Sequence, residues 1–245
     1  MFKTIILIPS RLSATRLPRK PLLKINGISI ISHVVKKAQE ADIGEVFVAT
    51  EDEEILDDVN LNGGKAIITS NKHKTGSDRI FECFEKLNLK DIEYIINLQG
   101  DEPNIDINDL KSFNRLIEIN KPEIGTLASE INLKSNLSNE NVVKVITDTK
   151  ITDNNFPIAL DFKRKVDNLN INIYHHLGIY VYKPNVLKKL INYKQTVNEI
   201  KNRLEQLRAI ENGIKINVAL AKFCSKGIDT MEDYLALKKK LEYKS

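Results

Sequence analysis

Cysteine is scarce in this 245-residue sequence, which contains only Cys83 and Cys224. The two residues are far apart, neither belongs to a CxxC pair, and no cysteine and histidine cluster has the spacing of zinc ligands. This pattern argues against a disulfide framework and against a structural zinc site. We therefore expect both thiols to be small apolar residues in a reducing compartment.

Long hydrophobic runs are also lacking, since no apolar stretch approaches the length needed to span a membrane. At the amino terminus a single lysine precedes a five-residue apolar run, which is too short for the core of a signal peptide. With 42% hydrophobic residues, the chain can still bury a full core, as one large domain or as one domain with a small extension. We expect a soluble cytoplasmic protein.

The sequence has little excess of either charge and no glycine-rich phosphate motif. Its formal net charge is +4, and the surplus lysines are scattered along predicted helices, so charge alone does not indicate nucleic-acid binding. The glycine spacings of the Walker A motif and of the dinucleotide fingerprint are absent. Any phosphate-binding site must therefore hold its ligand mainly through charged side chains.

A basic loop follows the first predicted strand. Residues Thr4 to Ile8 form a short apolar run typical of a buried parallel strand, and Pro9 ends it. The next eleven residues contain four cations, Arg11, Arg16, Arg19 and Lys20. Held close together at the carboxyl end of a strand, these cations repel one another and favour a bound anion such as a polyphosphate. The alternative is an ordinary solvated basic loop.

A strand-end aspartate is the candidate metal ligand. The predicted strand from Glu93 to Leu98 runs directly into Gln99, Gly100 and Asp101. Mg²⁺ prefers one or two carboxylates together with phosphate and water oxygens, so Asp101 beside a polyphosphate loop is chemically sufficient. Near the other end of the chain, Asp229 is either a helix cap or a second carboxylate that meets Asp101 across a shared metal.

The alternation of strands and helices predicts an α/β protein with a doubly wound, mostly parallel sheet. Residues 125–183 interrupt that alternation, because they are rich in strand patterns separated by polar segments. We predict a nucleotide-binding core of residues 1–124 and 184–245, with a small β-rich extension at 125–183. Between two of these patterns, residues 161–172 are interpreted as a polar connection.

Six motifs together resemble the 3-deoxy-manno-octulosonate (Kdo) cytidylyltransferases, also called CMP-Kdo synthetases. In chain order they are IPSRLSATRLPRKPL, HKTGSDRI, NLQGDEP, HHLGIY, LEQLR and GIDTMEDY. The resemblance implies a Rossmann-like nucleotidyltransferase fold and a reaction in which CTP and Kdo give CMP-Kdo and diphosphate, for lipopolysaccharide precursor synthesis. It also implies Mg²⁺ as the cofactor, no nucleic-acid or membrane partner, and a homodimer formed through the β-rich extension.

The resemblance implies a role for individual residues, each at its motif position. Arg11 and Lys20 would hold the triphosphate, supported by Arg16, and would form the catalytic group with Asp101, while Asp101 and Asp229 would hold magnesium. Cytidine would be bound by Gly76, Ser77, Arg79 and Gln99, and the sugar by His176, Glu205 and Gln206. The residue pattern alone gives simpler interpretations. Asp78 beside Ser77 is interpreted as a helix cap, and Glu205, Gln206 and Arg208 as a solvated helix face.

Two positions depart from the family pattern. Arg19 stands where the family usually has glycine, and Asp153 occupies the position of a family arginine. An aspartate buried beside an acidic sugar would cost several kcal/mol. The expected acceptor is therefore Kdo or a related ulosonate, such as 8-amino-8-deoxy-Kdo, whose ammonium group would pair with Asp153. Alternatively, Lys163, Arg164 or Lys165 supplies the positive charge that the family arginine would have provided. A CTP-binding module without catalysis is the rival class of function.

Overall fold

A computed structural model describes residues 3–13, 17–131, 135–166, 172–223 and 227–242. The strands are β1 (Thr4–Ser10), β2 (Lys24–Ile25), β3 (Ile28–Ser29), β4 (Gly44–Thr50), β5 (Ala66–Ile68), β6 (Tyr94–Asn97), β7 (Ile124–Ser129), β8 (Lys144–Thr147), β9 (Ala159–Lys163), β10 (Ile173–Tyr182) and β11 (Ile216–Leu220). The helices are α1 (Ile30–Glu40), α2 (Glu53–Leu61), α3 (Gly76–Leu87), α4 (Ile107–Asn120), α5 (Ser135–Ser138), α6 (Pro184–Asn192), α7 (Val197–Asn202), α8 (Gln206–Glu211) and α9 (Met231–Glu242). Among the described residues, none of these helices combines the length and apolar character required to cross a membrane.

The chain divides into two compact units. The first consists of Lys3–Ile107 with Ser225–Ser245, and the second is Asn108–Cys224. These boundaries differ from the predicted division at 125–183, because the second unit also takes in the helices and the strand that flank the β-rich segment. β7 pairs with both β10 and β11, which joins the flanking strand to the β-rich one.

The first unit is built on a parallel sheet in the strand order β6-β1-β4-β5. β1 is its middle strand, pairing in parallel with β4 from Thr4 opposite Gly44 and with β6 from Thr4 opposite Tyr94. Ile6, Leu7 and Ile8 are fully buried, as the apolar run predicted. The predicted α/β class with a mostly parallel sheet is thus confirmed, and β1 and β6 form the switch point at which ligands of such sheets bind.

Capping residues fix where the helices of the first unit begin. Thr75 accepts a hydrogen bond from the backbone N–H of Asp78, and the Asp78 carboxylate accepts one in return from the backbone N–H of Thr75, at 3.2 Å each. This reciprocal pair is a capping box, so the predicted capping role of Asp78 is confirmed. It places the start of α3 directly after the loop that leaves β5.

The carboxyl-terminal segment of the first unit packs against the amino-terminal loop. Leu17, Ile25 and Ile30 form one buried cluster with Ile228 and Tyr234. The Tyr234 hydroxyl also donates to the Lys24 carbonyl at 2.7 Å. Burial of these apolar side chains holds the residues before α9 beside the loop that follows β1. Asp229 is brought close to Lys20 for this reason.

The second unit has a mixed sheet in which β10 pairs antiparallel with β7 and β8, and β7 pairs in parallel with β11. Its outer antiparallel strand in the described residues is β9, which pairs with β8. Prediction of a polar connection over 161–172 was wrong for the first residues of that range, because they belong to β9. Phe162 is 2% exposed, whereas Leu160, two residues earlier, is 56% exposed. The register of β9 against β8 shifts at Leu160, as in a β-bulge, which turns this side chain away from the buried face.

Helix α8 also differs from its predicted solvated face. Gln206 and Arg208 are buried, with 9% and 4% of their surfaces exposed. Arg208 forms a buried ion pair with Glu199, in which its Nε donates to Oε2 at 2.8 Å, and it donates to the Leu190 carbonyl at 3.2 Å. The sequence pattern missed this pairing because Glu199 lies on α7, in a different helix from Arg208.

Candidate active site

A pocket of about 400 Å³ lies at the carboxyl edge of the parallel sheet in the first unit. We call it the edge pocket. Its walls come from the segments that follow β1, β5 and β6 and from the residues before α9. All three strands are parallel, so their carboxyl ends meet at one edge, and the pocket opens at the switch point between β1 and β6.

Lys20 joins the two predicted metal-binding carboxylates in this pocket. Its ammonium group donates to Oδ2 of Asp101 at 2.6 Å and lies 3.7 Å from Oδ1 of Asp229. It also donates to the Ile228 carbonyl at 2.7 Å, and the backbone N–H of Ile228 donates to the Asp101 carbonyl at 3.0 Å. Two segments from opposite ends of the chain are therefore fixed to the end of β6. The structure thus places all three residues in one site.

Two glycines allow the backbone to approach closely at the floor of the edge pocket. A Cβ atom at Gly100 would lie 3.0 Å from the Pro9 carbonyl oxygen, and one at Gly76 would lie 3.2 Å from Cγ of Pro9. Both separations are tighter than ordinary van der Waals contact. Glycine at these positions brings the segments after β5 and β6 against the end of β1.

Arg11 and Ser10 offer polar groups to the pocket. Arg11 is exposed, and no hydrogen bond or ion pair joins its guanidinium group to any residue in the described part of the chain. The adjacent backbone N–H of Leu12 donates to the Asp52 carboxylate at 2.7 Å, which fixes the loop. The Ser10 hydroxyl is buried without a hydrogen-bond partner among the described residues. A donor and a cation are thus available to an anionic ligand.

Arg19, another cation of the basic loop, is not among the residues that line the edge pocket. Arg16 lies outside the described residues. Arg19 instead forms an exposed ion pair with Glu54, so its charge is directed at that carboxylate. Arg19 also has φ 56°, in the left-handed region that glycine adopts without strain. Arginine at this family glycine position therefore carries a backbone cost that glycine would not.

Three of the four residues predicted to bind cytidine line the edge pocket, namely Gly76, Arg79 and Gln99. Ser77 is 4% exposed within α3 and is not among the pocket-lining residues in the described ranges. The Arg79 guanidinium group is 3% exposed and is already bonded to Glu51 and to the Thr69 hydroxyl. Arg79 therefore lines the pocket, and its guanidinium group is committed to bonds that stabilise the pocket wall.

Sequence reasoning missed several pocket residues, among them His73 and Lys74, which precede the capping box of α3. His73 is paired with Glu82, and Lys74 is exposed. The available signal was their position in the HKTGSDRI motif, immediately before a helix start, where backbone N–H groups can bind a polar ligand. The resemblance implied roles only for residues from Gly76 onward.

The donor set suits magnesium bound together with a nucleotide. Among the described residues, no group of three or more histidine, cysteine, aspartate or glutamate side chains could hold a metal ion alone. Asp101 and Asp229 instead converge on one cation, the ammonium group of Lys20. Two carboxylates that share a cation, beside a cationic loop, match the preference of Mg²⁺ for few carboxylates and several phosphate and water oxygens. The residues present therefore fit this cofactor.

The predicted sugar-binding residues lie in the second unit. His176 on β10 is 8% exposed, and its Nε2 lies 3.0 Å from the hydroxyl of Thr126 on β7. Burial, with a smaller contribution from the neighbouring His175, lowers the pKa of His176 to about 3. The imidazole is therefore neutral near pH 7 and is a hydrogen-bonding group, not a cation, for an acidic ligand.

An irregularity in β10 places an aromatic residue beside His176. The register of β10 against β7 shifts between Leu177 and Tyr180, as in a β-bulge. The Tyr180 ring centroid is 5.3 Å from that of His176. Burial, followed by the charges of Tyr182 and Glu205, raises the pKa of Tyr180. Glu205 and the buried Gln206 lie at the start of α8 in the same unit.

Asp153, the departure from the family arginine, is exposed in the second unit. Its side chain is 55% exposed and forms an ion pair with Lys222 at 3.2 Å. The argument against Kdo assumed that the Asp153 carboxylate is buried and unpaired, and that assumption is wrong. Among the alternative cations, Arg164 donates to the carbonyls of Glu140, Asn202 and Arg203, so its guanidinium group is committed to the backbone.

Comparison with known proteins gives one consistent result. The cytidylyltransferase family matches the chain over residues 5–216. A 3-deoxy-manno-octulosonate cytidylyltransferase of Thermodesulfovibrio yellowstonii is 43% identical over 244 residues, 94% of each chain, and one of Rhodopseudomonas palustris is 39% identical over 233 residues, also 94% of each. The solved structure of a CMP:2-keto-3-deoxy-manno-octonic acid synthetase complexed with CTP superimposes with a TM-score of 0.90 at 32% identity, covering 99% of this chain and 100% of that one.

Proposed function

Because the chain belongs to the cytidylyltransferase family, we propose that it transfers CMP from CTP to Kdo and releases diphosphate, as a step in lipopolysaccharide precursor synthesis. The observation that carries this proposal is the convergence of Lys20, Asp101 and Asp229 beside Arg11 in the edge pocket. Cations and carboxylates at the switch point of a parallel sheet are the groups that a magnesium nucleotide requires.

In this reaction the anomeric hydroxyl oxygen of the sugar forms a bond to the α-phosphorus of CTP. The bond from that phosphorus to the bridging oxygen of the leaving diphosphate breaks, and the proton lost by the hydroxyl group leaves with the diphosphate. No protein nucleophile is needed, so the chain contributes binding, orientation and charge. Arg11 binds the triphosphate through its guanidinium group. Lys20 has three N–H donors, two of which are directed at Asp101 and the Ile228 carbonyl, and one remains for a phosphate oxygen.

Mg²⁺ is the proposed cofactor, held by Asp101 and Asp229. When bound, it would neutralise charge on the reacting phosphate oxygens. The protein residues do the remaining work. Lys20 keeps the two carboxylates close together, and the backbone bond from Ile228 to Asp101 fixes the segment that carries Asp229.

We assign binding of the acceptor sugar to His176, Glu205 and Gln206 of the second unit. The polyhydroxylated sugar offers many hydroxyl groups, and a neutral imidazole with a carboxylate and an amide binds such groups by hydrogen bonds. The exposure of Asp153 and its pairing with Lys222 remove the reason to prefer an amino-substituted sugar. We therefore name Kdo as the acceptor, with 8-amino-8-deoxy-Kdo as the comparison substrate. A cytoplasmic location and a homodimer belong to the same proposal.

The test is a diphosphate-release assay in which CTP, Mg²⁺ and each sugar are omitted in turn. Release should require all three components and should be faster with Kdo than with its 8-amino analogue. Tight CTP binding without release on any acid sugar would indicate the rival function, a binding module without catalysis.

The matched variants are Asp101→Asn and Glu232→Gln, each of which replaces a carboxylate by an amide. Asp101→Asn should lower turnover by about two orders of magnitude with little change in stability, because it removes charge at the metal. Glu232 is exposed in the first turn of α9 and should tolerate the change. Unchanged turnover in Asp101→Asn would remove Asp101 from the site.

A further inference from the structure

Helix α3 carries three charged residues, Arg79, Glu82 and Lys86, at spacings of three and four residues. We call them the charged stripe of α3. Side chains at these spacings lie on one face of a helix. Arg79 and Glu82 bond to the segment between β5 and α3, which supplies one wall of the edge pocket, and Lys86 bonds to Ile68 at the end of β5. Two of the three, Glu82 and Lys86, have no part in the proposed transfer reaction described above.

The bonds of the charged stripe fix this segment at successive points. Lys86 donates to the Ile68 carbonyl at 2.8 Å, and Arg79 donates to the Thr69 hydroxyl at 2.7 Å. Glu82 is at the centre, because its Oε2 accepts from the backbone N–H of Ser70 at 2.8 Å and is paired with Nε2 of His73. Its other oxygen, Oε1, is 2.8 Å from the Lys86 ammonium group.

Glu82 determines which nitrogen of His73 carries a proton. Burial opposes ionisation of Glu82, but hydrogen bonds from Lys86, the Ser70 N–H and His73 together lower its pKa to about 2. An ionised carboxylate can only accept hydrogen bonds, so Nε2 of His73 must be the donor. The ring is thereby fixed in orientation, with a proton on Nε2. His73 itself is a pocket-lining residue with a side chain 21% exposed.

We propose that His73 is a further nucleotide-binding residue and that Glu82 is its positioning residue, which holds the ring and the Ser70–Thr75 segment in place as one wall of the pocket. The inference rests on the proposed function, since it takes CTP to be the ligand. A ring held at the pocket wall binds without first losing rotational freedom, which lowers the entropic cost of binding. Loss of the Glu82 carboxylate should therefore weaken CTP binding specifically.

The test measures the Kd of CTP calorimetrically, in the presence of Mg²⁺ and without sugar. Glu82→Gln keeps the shape of the side chain but removes the charge, and it should weaken CTP binding about tenfold. Glu85→Gln is the matched control, since Glu85 lies in the same helix and is exposed. His73→Gln should weaken binding to a similar or greater extent. In turnover assays, KM for CTP should rise in both variants while KM for the acid sugar stays unchanged.

The double variant His73→Gln/Glu82→Gln shows whether Glu82 acts through His73. If it does, adding Glu82→Gln to His73→Gln should change the Kd less than about twofold, because the shared interaction is already lost. A further tenfold loss would overturn the positioning role. If Glu82→Gln is unstable, Glu82→Asp, which keeps the charge on a shorter side chain, should fall between wild type and His73→Gln.

Failure of this inference differs from failure of the proposed function. If wild type, Glu82→Gln and His73→Gln all bind CTP with the same Kd, the inference about His73 and Glu82 is wrong, and the proposed function is unaffected. If wild type binds CTP more tightly than the His73 variant but releases no diphosphate with any acid sugar, the proposed transfer reaction is wrong, and the inference about His73 is unaffected. Absence of CTP binding overturns both.

Discussion

At the scale of single residues, Lys20 has the most consequential position in the edge pocket. Its ammonium group lies between two carboxylates, 2.6 Å from Asp101 and 3.7 Å from Asp229. The side chain is only 14% exposed, so these interactions are less screened than those of surface ion pairs. Without a divalent ion, Lys20 supplies the positive charge that keeps the two carboxylates together.

This arrangement predicts that Lys20 and a divalent cation compete for the same carboxylates. Lys20→Met should tighten binding of Mn²⁺, used as a probe for Mg²⁺, by about tenfold when no nucleotide is present, because the competing ammonium group is gone. The same variant should bind CTP more weakly. Calorimetric titration of Mn²⁺ and of CTP measures both effects.

Lys37→Met is the control for the Lys20 variant, since Lys37 forms an exposed pair with Glu40 on α1. It should leave both affinities at their wild-type values. Equal Mn²⁺ affinity in wild type and Lys20→Met would show that Lys20 and the divalent cation do not compete for the two carboxylates.

His176 makes a second prediction at this scale, which concerns pH. Its pKa is lowered from 6.5 to about 3 by burial. As the pH falls below 6.5, the unfolded chain takes up a proton on this residue and the folded protein does not, so the folded state loses stability until about pH 3. The loss attributable to one such residue is at most about 1.4 kcal/mol per pH unit.

The measurement is urea-induced unfolding at pH 7, 6 and 5. The free energy of unfolding of His176→Gln should be lower than that of wild type at pH 7, because the site is buried and bonded to Thr126. It should then decline less steeply with falling pH. The pKa of His175 is also lowered by burial, so part of the acid sensitivity should persist in the variant. Parallel curves for the two proteins would show that His176 titrates normally in the folded state.

At the scale of elements, α7 and α8 are joined by the buried pair of Glu199 and Arg208. Each side chain is only 4% exposed. Burial alone would raise the pKa of Glu199, but the hydrogen bonds from Arg208 and Gln195 outweigh it and lower the pKa. The pair fixes the turn between the helices, which carries Glu205. It therefore connects the stability of the second unit with the proposed sugar site.

Breaking this pair should be strongly destabilising. Arg208→Met leaves Glu199 as a buried unpaired charge and should lower the free energy of unfolding by about 3 kcal/mol. Replacing both residues by methionine should recover most of that loss, because no charge then remains buried. Denaturant unfolding of the two variants measures the difference.

Lys165→Met provides the matched control in the same unit. It breaks the exposed ion pair of Lys165 with Glu140, in which both side chains are 62% exposed, and should change stability by less than about 1 kcal/mol. A double variant no more stable than Arg208→Met would indicate that packing, not charge, dominates at this site.

At the scale of the whole molecule, the proposed homodimer gives a mass prediction. Light scattering should give twice the chain mass of 27.9 kDa. We assign the interface to the second unit, where β9 is the outer antiparallel strand in the described ranges and exposes Leu160 at 56%. Exposed apolar residues on an outer strand favour association with another chain.

Leu160→Lys should shift the protein towards the monomer, because a charge replaces an apolar contact. Leu61→Lys, at an 87% exposed position on α2 in the first unit, is the matched control and should leave the mass unchanged. A wild-type mass of a single chain would reject the homodimer.

Sequence alone determined the features that depend on local pattern. The apolar run before Pro9 predicted β1, and the strand ending before Gln99 predicted the site of Asp101, because strand ends follow from short periodic patterns. The capping role of Asp78 was likewise readable from its spacing. The family resemblance added the assignment of Asp229, which local pattern left open between a cap and a metal ligand.

Only the tertiary structure decided which of these side chains meet. Lys20 bonds to Ile228 across 208 residues of sequence, a contact that depends on the packing of α9 against the basic loop. The same packing separates Lys20, which enters the pocket, from Arg19, which turns to Glu54. Local sequence pattern encodes the periodicity and the ends of each helix and strand. Contacts between distant segments instead follow from the burial of their apolar faces, and this burial is fixed only when the whole core forms.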